Sequence, residues 1–347
     1  MNAALAMRTS AAFTLLDHVS AIRVSGPGAF KAVDQLCPRE LFLRDGQMLH
    51  TLLLRPDARP AADLYVCADD EDFLLLAEGI SADVLGELVR GAATAAVGVT
   101  DLMASNRIVS LDGPYAWEVF AELAGPEVIG QPYMTFFRSE ELTAFRAGKT
   151  GEFGYYLMLP HDRVDALRST LLDRGGAFDI VEGDLAALDQ CALENWYFNM
   201  RREGLADATP VELQLQWRIS KKKTFTGSQA LAERRGQVTQ RLLMCAAAGE
   251  VAIGDRVMYR DAAIGTVINA GYSPVRSDWV ATALVDRAYS HPGIRAFTIA
   301  HGADVVAVET LAAPALNNRS LFINPQLHSY HTRHEVQYPS VAPAAKG

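Results

Sequence analysis

The stretch GKTGEFGYYLMLP, residues 148–160, joins two patterns that belong to different jobs. Lys149-Thr150-Gly151-Glu152, with Gly154 two residues on, has the composition of a tight turn that displays polar groups. Tyr155, Tyr156, Leu157 and Met158 then run on as an apolar, aromatic strand. A polar turn that feeds directly into a buried strand reads either as a ligand-binding loop or as a structural hairpin.

Outward from this point the elements follow one another closely. A strand over 142–146 leads into the turn, and a helix from about 161 to 174, closed by Gly175-Gly176, follows it. Asp184 can N-cap a further helix carrying Leu185, Leu188, Cys191, Ala192 and Trp196. Upstream, strands are expected at 21–25, 50–55, 62–68, 72–78 and 107–111. Helices are expected at 29–36, at 81–90 and after the cap Asp112-Gly113-Pro114. From 240 to 308 the strands come closely spaced, with Gly249, Gly254, Gly265 and Gly271 at turns, the pattern of a small β-barrel or sandwich. The chain is therefore α+β over its first part, then all-β, then a tail.

Bulk properties narrow the function. At 347 residues the chain can build several cores. The net charge of −9 and the short basic clusters argue against a nucleic-acid surface. The four cysteines, at 37, 67, 191 and 245, form no CxxC pair, so reduced thiols are expected rather than a disulfide or zinc framework. The start MNAALAMRTSAAF has a short apolar run broken by Arg8, neither a signal peptide nor a membrane span, and a cytoplasmic location follows as the expectation. In the tail, His328, His331 and His334 share an HxxHxxH spacing. No regular element gathers three imidazoles at that spacing, so the segment is read as a surface tail or an arm against a partner subunit rather than a metal site.

A series of motifs recurs in a fixed order: VSGPGAF (24–30), LCPREL (36–41), TLLLRPDARPAADLYV (51–66), LDGPYAWEV (111–119), KTGEFGYYL (149–157), ALDQCALE (187–194), TPVELQLQW (209–217), TFTGSQAL (224–231) and GYSPVRSDWVATALVDRAYSHPG (271–293). In this order the chain resembles the glycine-cleavage T-protein family, which includes the folate-linked demethylases. The resemblance implies a three-domain ring around a central cavity that tetrahydrofolate enters pterin-first. The spans expected are 1–50 plus 140–235 for the first α+β domain, 51–139 for the second, 236–320 for the all-β domain and 321–347 for the tail.

The same resemblance assigns roles. The carboxylate near folate N5 falls on Asp63, which is itself out of place among Ala61, Ala62, Leu64, Tyr65 and Val66. A carboxylate buried there should have a raised pKa unless it is paired. Lys149, Glu152, Tyr156, Leu188 and Tyr65 fall at or beside cofactor-contacting positions. Three of these depart from the family pattern. Lys149 stands for a tyrosine, Tyr156 for the glutamate that grips the pterin edge, and Leu188 for an arginine. A phenol cannot reproduce the paired acceptor of a carboxylate. Asn195 and Trp196 replace small residues and would narrow the cavity if they face it; the same holds for Leu213, Gln214 and Gln216. His18 reads as a site or a structural histidine, and Arg39 as facing an anionic substrate or pairing with Glu40 or Asp45.

The expected function is a one-carbon transferase that moves a methyl or methylene group from a small N-, O- or S-linked donor to tetrahydrofolate. Two alternatives stay open: folate-independent chemistry on the same scaffold, and a non-catalytic binding or assembly role. The iron–sulfur-linked branch carries a cysteine motif that KKKTFTGSQAL lacks.

Overall fold

The computed structural model describes residues 2–335 and 337–339. They form two open sheets and a closed barrel. One sheet orders Met48–Leu54, Pro60–Asp69, Asp72–Glu78, Val19–Ser25 and Gly98–Asp101, each antiparallel to its neighbour. The other orders Val181–Glu182, Ala12–Leu15, Asn106–Asp112, Gly154–Pro160, Thr143–Phe145 and Phe136–Arg138.

Strand periodicity explains how the two sheets pack. In Pro60–Asp69, Ala62, Leu64, Val66 and Ala68 join the core beneath the helices Ala29–Leu36 and Ala82–Ala92. Tyr65 and Cys67 point the other way, into a core shared with Ile108, Phe145, Tyr156 and Met158 of the second sheet. The second sheet turns Leu111, Tyr155, Leu157 and Leu159 toward a core with Phe120 of Ala116–Ala124 and Leu171 of Val164–Gly175. Each sheet is thus covered on both faces, which is why 155–159 reads as an unbroken apolar run. Period two also puts Asp63 on the face between the sheets, not at a wet edge.

The sheets divide the strands otherwise than expected. Val19–Ser25 and Met48–Leu54 belong with 60–78, and Asn106–Asp112 belongs with 154–160, so one sheet takes the strands of 19–101 and the other those of 106–182 together with Ala12–Leu15, rather than dividing at 51–139. Hydrophobic patterning locates strands, but pairing between distant strands leaves no local trace. Two further expectations fail locally. Asp112 does not cap the next helix, whose N-cap is Tyr115; it is buried at the end of its strand. The helix from Asp184 ends at Glu194, and Trp196 sits at φ +62 beyond it, so Trp196, Tyr197 and Phe198 lie on no helix.

The barrel closes through Gln240–Ala247, Asp278–Asp286, Ala262–Ser273, Arg256–Tyr259, Phe297–His301 and Asp304–Leu311, all antiparallel. Its strands run from Gln240 to Leu311. Buried Glu203 ties the barrel to the rest: its Oε1 accepts from Asn269 at 2.8 Å and from Thr282 at 3.0 Å, while Oε2 accepts from the Asn199 N–H at 3.1 Å. The described part of the tail folds back on its own chain. Ile323 and Tyr330 join the core of the second sheet, and Glu118 accepts from Ser329 and the Tyr330 N–H. His328 Nδ1 accepts the Asn324 N–H, His331 packs on Phe178 and His334 stands at the surface; no metal-binding group occurs among the described residues. No helix among the described residues is long and apolar enough to cross a membrane.

Candidate functional site

The turn at Thr150–Glu152 is a hub of buried polar contacts to Arg8, Asn195, Arg319 and Ser320. The fully buried Arg8 comes from an N-terminal helix, Ala3–Thr9, capped by Asn2. Its guanidinium donates to Glu194 Oε2 at 2.7 and 3.0 Å, to the Thr150 carbonyl at 2.5 Å and to the Cys191 carbonyl at 3.0 Å. Asn195 donates to the Thr150 carbonyl at 2.7 Å and accepts from Asn318 at 2.6 Å. Glu152, expected at the cofactor, turns its carboxylate to the segment after the barrel instead, accepting the N–H groups of Arg319 at 3.1 Å and Ser320 at 2.8 Å. Gly151 lies at φ +80, and a Cβ there would stand 2.3 Å from Asn195 Oδ1. Gly148 and Gly154 flank Asp112, whose Oδ1 would lie 2.9 and 2.8 Å from a Cβ at either position. The glycines thus serve close packing of the turn.

The chemistry-bearing cluster lies one residue upstream and across the sheets. His50, Asp63, Tyr65 and Glu78 share one face of their sheet, brought together by the registers His50–Tyr65 and Asp63–Glu78. Asp63 is buried. Its Oδ1 lies 2.8 Å from His50 Nε2 and accepts from Arg218 Nη1 at 2.8 Å, and Lys149 Nζ reaches Oδ2 at 2.6 Å. Lys149 also lies 2.6 Å from Glu78 Oε1. Glu78 Oε2 meets Arg201 Nη1 at 3.3 Å, and Arg201 continues to Asp189, which accepts from Asn199. Tyr65 stacks on His50 with ring centroids 4.3 Å apart and meets Tyr156 edge-on at 6.1 Å.

Burial alone would raise the Asp63 pKa; His50, Lys149 and Arg218 outweigh it, and the carboxyl is held well below the usual carboxylate range. Lys149 is shifted upward: burial opposes its charge, but Asp63 and Glu78 more than restore it. Arg218 Nη1 can only donate, so the arrangement that satisfies Asp63 Oδ1 has both Arg218 and His50 Nε2–H donating to it. Asp112, beneath Thr150, is pushed up to about 7 by burial.

Two cavities border the cluster. The one lined by Lys149, Tyr156, Leu188, His18 and Glu78 measures about 30 Å³. That is space for one or two waters. It is far short of the roughly 300 Å³ at which small-molecule pockets begin. The larger, of about 500 Å³, opens on the other side of Asp63 and is lined by His50, Arg218, Arg39, Tyr133, Trp196, Tyr197 and Trp217, among others. The sequence-expected residues therefore separate. Asp63, Lys149, Tyr156 and Tyr65 gather, with half-buried Leu188 closing the smaller cavity; Glu152 goes to Arg319 and Ser320. Asn195 and Trp196 do line the larger cavity, whereas Leu213 is core and Gln214 bonds the Leu242 carbonyl. Sequence reasoning missed His50, Glu78, Arg201 and Arg218. The position of His50 within a strand whose other residues, Thr51 apart, are apolar was the one available signal.

Burial lowers the His50 pKa to about 4 despite the neighbouring carboxylate. The unfolded chain takes up a proton near 6.5 that the folded chain refuses until about pH 4, so stability falls as pH drops through this window. The shift amounts to about 3 kcal/mol. His18, also lowered chiefly by burial, acts in the same direction. Urea midpoints measured from pH 7 to pH 4 should fall steeply in the wild type and less steeply in His50→Gln. Equal slopes would remove His50 from the acid response.

Two sheets, a terminal antiparallel barrel and a buried carboxylate between the sheets define a class. Residues 2–223 match the GCVT N-terminal domain, and the chain belongs to that family. Over 286 residues it is 29% identical to the aminomethyltransferase of Mycobacterium avium (strain 104), covering 78% of this chain and 76% of that one. The aminomethyltransferase of Thermotoga maritima is 25% identical over 293 residues, 82% of this chain and 80% of its own. The glycine cleavage system aminomethyltransferase T from Bartonella henselae matches with a TM-score of 0.81 and 25% identity, over 90% of this chain and 88% of that one. These relatives carry the name of an enzyme class.

Tetrahydrofolate is the cofactor that the resemblance implies. The residues present do not fit a pterin at Lys149, Tyr156 and Leu188. The ammonium of Lys149 already bridges Asp63 and Glu78, and only about 30 Å³ remains beside it.

Proposed function

We propose that the chain is a one-carbon transferase acting on a small N-, O- or S-linked donor held in the cavity of about 500 Å³ beside Asp63. The observation that carries this reading is an ionised carboxylate, buried between two sheets, two of whose three partners, His50 and Arg218, line that cavity. A carbon leaving its heteroatom gathers positive charge, and a fixed carboxylate in a water-poor site stabilises that charge without reorganising. Held ionised, Asp63 is no proton donor near neutrality; its part is electrostatic. His50 and Arg218 orient one carboxylate oxygen, and Lys149 holds the other. The acceptor of the one-carbon unit enters from the same larger cavity, since the smaller one has no room for it.

Donors labelled with ¹³C at the N-, O- or S-methyl group, offered as a panel with candidate acceptors including tetrahydrofolate, test the reading by NMR. Loss of label from at least one donor is expected. Intact donors throughout, with folded protein at stoichiometric concentration, would remove the transferase reading.

A further inference from the structure

We propose that a separate cavity of about 320 Å³, where the barrel meets the segment before it, binds a small organic phosphate. It shares no lining residue with the cavity beside Asp63, so this site stands apart from the transferase reading and does not depend on it.

Charge gives the first argument. Lys221, Arg235, Arg241 and Arg287 line this cavity, and no carboxylate does. The chain as a whole carries −9, so four cations around one concavity run against its balance. Among the described residues none of the four side chains has an ion pair or a hydrogen bond. Their neighbours show that the fold uses cations where it needs them. Lys223 Nζ reaches Asp34 at 2.6 Å, and Arg234 Nη1 donates to the Asp57 carbonyl at 3.2 Å. The carboxylates close by in sequence are turned elsewhere. Glu212 accepts the Thr209 N–H at 2.6 Å, Glu233 accepts from Gln229 at 3.0 Å, and Asp286 does not line the cavity.

Placement gives the second argument, because the four cations come from four separate segments. Arg235 ends the helix Ser228–Arg235, where the helix dipole by itself favours a cation. That accounts for Arg235 alone. Lys221 lies in the loop before this helix, Arg241 on the strand Gln240–Ala247 and Arg287 just past the strand Asp278–Asp286. Arg241 pairs with Val285, and the Arg287 N–H donates to the Thr239 carbonyl at 2.8 Å, so Arg241 and Arg287 are diagonal neighbours across the strand pair. Like charges facing each other across strands destabilise the pairing. Arg241 is half-buried besides. An anion seated between the two guanidinium groups offsets both costs. Guanidinium forks match phosphate oxygens in pairs, and a phosphate monoester carries about −1.5 to −2 at pH 7. Val211 and Val238, both half-buried, add an apolar wall, so a phosphate with a small carbon body fills the cavity better than the bare ion. The volume matches that of the smallest ligand pockets, roughly 300 Å³.

Calorimetry on the full chain, at an ionic strength of about 0.15 M, tests this with butyl phosphate, inorganic phosphate and hexaglutamate. Butyl phosphate should bind with a Kd below about 1 mM and more tightly than inorganic phosphate. Arg241→Met and Arg287→Gln should each weaken it at least about tenfold. Lys222→Gln, which removes an exposed charge outside the cavity, should change it less than about twofold. In phosphate-free buffer both arginine variants should melt no lower than the wild type, since each relieves repulsion. No saturable binding of butyl phosphate at about 10 mM, or weakening by Lys222→Gln equal to that by the arginine variants, would overturn the proposal. So would a lowered melting temperature in both arginine variants, which would mark the two guanidinium groups as parts of the fold. Inorganic phosphate bound as tightly as butyl phosphate would overturn the organic class. Hexaglutamate bound more tightly than either would replace the site with a docking face for an acidic protein.

Discussion

Asp63→Asn is expected to lower kcat/KM for the donor identified in the labelling panel by on the order of 10²–10³. The amide keeps the shape and retains an acceptor oxygen for Arg218, so donor binding through the larger cavity should change little. What goes is the charge. Three groups converge on it at 2.6–2.8 Å, and the site's ability to stabilise a cationic carbon depends on it. The loss should therefore appear in kcat more than in KM. Stability should fall as well, because Arg218 loses its buried counter-charge while Lys149 keeps Glu78. Removing one partner of a buried pair costs about 3–5 kcal/mol. Full turnover in Asp63→Asn would remove Asp63 from the chemistry.

Arg8→Met is the substitution expected to cost most stability. The methionine replaces the buried stem but none of the donors. Glu194 Oε2 and the carbonyls of Thr150 and Cys191 lose the guanidinium that now satisfies them. Stranding Glu194 alone should cost about 3–5 kcal/mol. Because the same guanidinium joins the N-terminal helix, the helix Leu185–Glu194 and the turn at Thr150, the loss should reach all three. Chemical denaturation of Arg8→Met beside Arg8→Met/Glu194→Gln separates the contributions. The double variant should recover part of the loss, because the stranded charge is gone. A midpoint for Arg8→Met within 0.5 kcal/mol of wild type would contradict this role.

These two residues also show where the sequence was legible. Asp63 stood out because a carboxylate interrupts an apolar strand, and the motif order gave it a role; the structure adds the partners that keep it ionised. Arg8 was seen only as a break in an apolar run. Its role depends on Glu194 and Thr150, 186 and 142 residues away, and contacts at that separation leave no local pattern. Strands and helices were legible from periodicity, including 72–78 and 29–36 at their observed bounds. The grouping of strands into sheets was not. The turn at 148–154 carried the strongest family signal, yet its frame of Thr150, Gly151 and Glu152 packs against Arg8 of the N-terminal helix and the segment Arg319–Ser320. The residue beside it, Lys149, reaches the site. His50 and Arg218 come from segments with no motif-level role, and only the three-dimensional pairing with Asp63 reveals them.

We propose that this T-protein scaffold has closed the pterin end of its cavity and works from the other side of Asp63. Calorimetric titration of tetrahydrofolate into the wild type and into a Lys149→Tyr/Tyr156→Glu variant tests it most directly. No saturable binding to the wild type is expected at millimolar tetrahydrofolate, with binding gained in the variant once the Lys149 bridge is removed and a carboxylate acceptor restored. Micromolar binding to the wild type, weakened by Tyr156→Phe, would place the pterin in that slot and contradict the claim.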